Sequence, residues 1–142
     1  MKKNIVFVSL FGLTELYREI ARGLPQNKYD IFWITTNEYW TRYLVLEGFP
    51  RKHILQLIYD PSDFLNGVAA RDIRKQIVEC EAAGDLSINQ VLLMDRFLAE
   101  KPRDDINQYI YLYYRDIKRF LKNNDISFVF AEPTNTNDLV TY

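Results

Sequence analysis

Apolar residues fall into two repeating patterns along this chain, and they alternate. Residues 4–9 (Asn-Ile-Val-Phe-Val-Ser) hold four apolar positions in a row without polar alternation, which predicts a strand buried on both faces of a mainly parallel sheet. A short turn over residues 10–13 contains Gly12, and Thr14 reads as an N-cap. Leu13, Leu16, Tyr17, Ile20 and Leu24 then recur at helical spacing until Pro25. Residues 29–35 (Tyr-Asp-Ile-Phe-Trp-Ile-Thr) repeat the strand signal. Thr36 and Asn37 cap a helix with Trp40, Tyr43 and Leu44 on its expected inner face and Gly48 at its end. A weaker strand is predicted over residues 53–59.

Between residues 60 and 125 the pattern is helical throughout. Ala69, Ile73, Ile77 and Cys80 share one expected face, ending near Gly84. A second segment starts at Ser87 with Ile88, Val91, Leu92 and Leu98. The third carries Ile106, Tyr109, Ile110, Tyr113, Ile117, Phe120 and Leu121, with Asp104 and Asp105 first and Lys118, Arg119 and Lys122 last, as the helix dipole favours. Residues 126–131 (Ile-Ser-Phe-Val-Phe-Ala) form another apolar run, expected to be buried on both faces, and the chain turns polar at Glu132, Pro133, Thr134 and Asn135. The last helix has one or two turns before Tyr142, which reads as the N-terminal part of a longer chain.

Strands separated by helices predict an α/β fold, a Rossmann-like parallel sheet of about four strands flanked by helices. The domain spans residues 1–142, with a helical insertion over 60–125 before the last strand. In the order 3-2-1-4 the strands at Ile5 and Ile126 are neighbours. Their following turns, Ser9 to Gly12 and Glu132 to Asn135, then border the crevice where such sheets bind ligands. The competing reading has Ser9 and Thr14 simply starting a helix and Glu132 ending a strand.

Composition removes several function classes. The charged residues, 26% of 142, nearly cancel to a net charge of −1, leaving no basic footprint for DNA or RNA. One cysteine cannot form an internal disulfide, and neither a signal segment nor a membrane-spanning run is evident, so the chain reads as cytoplasmic. With one histidine and one cysteine no metal site is expected. His53 reads as a solvated or core residue and Cys80 as a packing residue. The first turn has neither G-x-G-x-x-G nor the phosphate loop G-x-x-x-x-G-K-[ST], so no dinucleotide cofactor is expected. Among ten tyrosines, Tyr111 and Tyr114 lie off the inner face of the third helical segment, where packing, a partner interface or stacking on a sugar are the available roles.

The run Lys-Asn-Ile-Val-Phe-Val-Ser, then Leu-Tyr-Arg-Glu-Ile-Ala-Arg-Gly-Leu, Tyr-Asp-Ile-Phe-Trp-Ile-Thr-Thr and Phe-Val-Phe-Ala-Glu-Pro-Thr-Asn-Thr-Asn-Asp resembles the N-terminal Rossmann-like domain of GT-B glycosyltransferases, of the bacterial capsule or surface-polysaccharide type. The resemblance covers nearly the whole chain as pattern. It departs from that family in keeping only Gly12 of the first turn, and in having Asn27-Lys28-Tyr29-Asp30 where Gly-His-x-Val is usual. It implies a sugar or glycan acceptor bound by Ser9, Leu10, Phe11, Gly12, Thr36, Asn37, Thr134 and Asn135. Glu132 would be the general base that takes the acceptor hydroxyl's proton. A C-terminal half outside this sequence would bind the nucleotide-sugar donor, so the piece alone should be inactive. No bound cofactor is implied, and peripheral membrane attachment and a homo-oligomer are compatible with it. The rival readings are a non-catalytic protein-binding or scaffold module and a GT-B-shaped nucleotide-sugar epimerase.

Overall fold

A computed structural model describes residues 2–9, 13–57, 70–84, 87 and 102–131. The elements in order are β1 (Lys3–Ser9), α1 (Leu13–Gly23), β2 (Tyr29–Thr35), α2 (Glu38–Leu46), β3 (Ile54–Gln56), α3 (Ala70–Gly84), α4 (Arg103–Asn123) and β4 (Ile126–Phe130). A 3-10 turn at Arg51–His53 precedes β3, so that strand is shorter than expected within the described residues. The second expected helical segment lies outside the described residues, apart from Ser87. Two compact units divide the chain, Met1–Ile58 with Phe120–Glu132 and Tyr59–Arg119 with Pro133–Tyr142.

The first unit holds the sheet. Its four strands are all parallel in the order β3-β2-β1-β4, the α/β arrangement the sequence predicts. β1 meets β2 in unbroken register from Lys3↔Tyr29 to Ser9↔Thr35. Against β4 the register shifts between Asn4 and Ile5, so Ser127 is the extra residue of a bulge. On one face Ile5, Phe7, Trp33 and Ile54 pack with Tyr17 and Ala21 of α1 and Leu44 of α2. Phe7 lies at the middle of this cluster, its ring 5.1 Å from Trp33, 5.7 Å from Tyr17 and 5.3 Å from Phe130. On the other face Phe32 stacks on His53 at 4.3 Å and meets Phe120 edge-on at 6.1 Å.

Three local expectations are corrected. β4 is not buried on both faces, for Phe128 and Phe130 remain 48% and 47% exposed. Both sit on the α1 face, opposite Ile5 and Phe7, and β4 is the last strand of the described sheet, so its neighbour covers one side only. α1 begins at Leu13, which puts Thr14 inside the helix; Leu13, Tyr17 and Leu24 pack in the core as expected, Thr14 and Ala21 are buried as well, and Leu16 and Ile20 are exposed instead. Arg18 and Arg22 reach Glu47, at the end of α2, at 3.1 and 2.5 Å. α2 buries Leu44 as expected and packs half-buried Tyr43 against the core, but it also buries Thr41, and Trp40 is only half-buried. Gly48 does end α2 as expected, at φ 94°, the left-handed conformation that glycine adopts without strain.

The second unit contains α3 and α4 as far as Arg119. Ile106, Tyr109 and Ile110 form its buried cluster, with Ile77, Cys80, Leu112 and Tyr113 packed against them. Lys118 bonds Glu79 across the two helices. After α4, Asn124 and the left-handed Asp125 (φ 46°) make the turn into β4, and the Asn4 amide closes it by donating to Asn124 O at 2.5 Å.

Candidate functional site

The carboxyl ends of β1 and β2 each finish on a buried hydroxyl. Ser9 Oγ is bonded to Thr14 Oγ1 of α1. Thr35 Oγ1 lies 2.6 Å from Thr41 Oγ1, and Thr41 donates onward to Asn37 O at 3.1 Å, so Thr35 is the donor to Thr41. All four hydroxyl residues are buried. These pairs replace the water that a strand-end hydroxyl would otherwise hold, and they tie each strand to its following helix. Asn37 is the N-cap of α2, as the sequence predicts, its Oδ1 accepting from Trp40 N at 2.9 Å.

Of the residues expected to form a ligand site, the structure therefore brings Ser9, Thr36 and Asn37 to the same edge of the sheet. Ser9 bonds Thr14 of α1, Asn37 caps α2, and Thr36 is half-buried. Leu10, Phe11, Gly12, Glu132, Thr134 and Asn135 lie outside the described residues. The neighbourhood that defines the crevice is present, because β1 and β4 are adjacent and run in the same direction.

Other sequence candidates resolve into structural roles. His53 Nδ1 lies 3.1 Å from Ile31 O and its ring stacks on Phe32, which fixes it against the sheet. Cys80 is half-buried beside the Ile106 cluster, and burial, reinforced by Glu81 and Glu79, raises its thiol pKa, the opposite of what a nucleophile needs. Tyr111 and Tyr114 are half-buried, with Arg115 5.8 Å and Lys118 5.4 Å from their respective ring centroids. Burial is also the largest influence raising the Tyr114 pKa. Among the described residues no group of three metal-ligating side chains occurs, and no helix is long and apolar enough to cross a membrane.

Sequence reasoning missed the outward side of α2. Tyr39 is 68% and Leu46 86% exposed, and Val45 is exposed too. Two open recesses of about 470 Å³ flank the ridge made by Glu38, Arg42 and Leu46; Tyr39 and Tyr43 line one, and Val45, Arg51 and Gln56 line the other. Tyr43 is fixed by Arg18, which bonds its hydroxyl, and by Trp40, whose ring is perpendicular to it at 5.5 Å. Burial, with Glu47 and Glu15 adding to it against Arg18 and Arg22, raises the Tyr43 pKa, so the phenol stays neutral. The available signal was the spacing of Tyr39 and Leu46, seven residues apart and so on one side of the helix, opposite Thr41 and Leu44.

No protein-family model, curated protein or solved structure matches this chain.

Proposed function

We propose that this chain is the acceptor-side domain of a cytoplasmic glycosyltransferase that moves a sugar from a nucleotide-sugar donor in bacterial surface or capsular polysaccharide synthesis. The observation that carries the reading is the parallel pairing of β1 with β4 in the order β3-β2-β1-β4. At that pairing the strand order reverses, and in open α/β sheets this is where ligands bind. The polar segment 132–135 follows β4 directly, and Glu132 is its one carboxylate, the group an inverting transfer needs to take the acceptor's proton. The donor is assigned to a second half of the protein.

The scaffold alternative uses the same sheet and the tyrosine-rich helix for a protein partner; Tyr111 and Tyr114 are half-buried, with Arg115 5.8 Å and Lys118 5.4 Å from their ring centroids, so these two rings offer it little exposed apolar surface. The test uses the full-length gene product with a panel of labelled nucleotide sugars and glycan acceptors. Sugar transfer is expected, and Glu132→Gln should lower turnover by about a hundredfold or more. Unchanged turnover removes Glu132 from the role of base. Interconversion of the nucleotide sugar without an acceptor identifies an epimerase, and no reaction with any donor overturns the enzymatic reading.

A further inference from the structure

We draw no further inference here: the strongest candidate, the apolar surface patch of half-exposed Phe128 and Phe130 on the α1 face of β4, the last strand of the described sheet, is an unpartnered strand face, and nothing in the structure shows what covers it.

Discussion

Ser9 and Thr35 occupy the same register position on neighbouring parallel strands, and each is buried with its hydroxyl joined to a threonine of the following helix. The floor of the sheet's carboxyl edge is thus closed by protein–protein hydrogen bonds. A ligand at this edge would not meet these hydroxyls, which are already paired and buried.

The Thr35–Thr41 pair should be measurable as a coupling. Thr35→Val removes the donor to Thr41 Oγ1, and Thr41→Val removes both that acceptor and the donor to Asn37 O. Each should cost about 1 to 2 kcal/mol. Because the two side chains share one bond, the double variant should cost at least about 0.5 kcal/mol less than the sum. Urea denaturation of the four proteins checks this, and strict additivity would show that the hydroxyls do not depend on each other.

The same face of the sheet contains a matched comparison. Phe7 is fully buried among Tyr17, Trp33 and Phe130, while Phe128, on the same face of the next strand, is half-exposed with Lys3 5.3 Å from its ring. Phe7→Ala should destabilise by about 3 to 5 kcal/mol. Phe128→Ala should cost under about 1.5 kcal/mol, because much less surface returns to water. Equal losses in thermal or urea unfolding would mean that the flank of β4 is covered.

What the sequence made legible was what apolar runs encode. Val6, Phe7 and Val8 are buried, and so are Phe32, Trp33 and Ile34, so uninterrupted apolar segments gave the strands and the intervening helices gave their parallel order. Helix orientation was less legible. Of the expected face of α1, Leu13, Tyr17 and Leu24 pack in the core but Leu16 and Ile20 do not, and Ala21 and Thr14, which bonds Ser9, are buried instead. In α2 the expected Leu44 is buried and Tyr43 packs against the core, and what periodicity could not show was buried Thr41, which is held by its bonds to Thr35 and Asn37. Of the expected ligand residues, Asn37 was readable because a capping amide before a helix has a local signature.

Cys80 sets the next expectation. Its thiol pKa is raised, first by burial and then by Glu81 and Glu79. A raised folded-state pKa favours the protonated form in the native protein. Stability from this group is therefore complete below the unfolded thiol's pKa and is lost as pH rises through the higher folded value. In native protein at pH 8, a disulfide reagent should react with Cys80 about tenfold more slowly than with a free thiol, the difference disappearing in denaturant. Labelling as fast as that of free cysteine would place the thiol in water.

Asn37 separates its structural role from its proposed role in binding. Its side-chain carbonyl accepts from Trp40 N, whereas the amide NH₂ is the part suited to an acceptor hydroxyl. Asn37→Ala should destabilise the chain by about 1 kcal/mol through loss of the cap, and Asn37→Asp, an equally good cap, should stay within about 0.5 kcal/mol of the parent. In the full-length protein Asn37→Asp removes the NH₂ donor while leaving the helix start intact, so turnover should drop about tenfold, the effect of one hydrogen bond worth about 1.4 kcal/mol. Unfolding curves and turnover measured on the same preparations distinguish the two contributions. An aspartate variant as unstable as the alanine variant would refute the cap, and one with unchanged turnover would take Asn37 out of the acceptor site while leaving α2 capped.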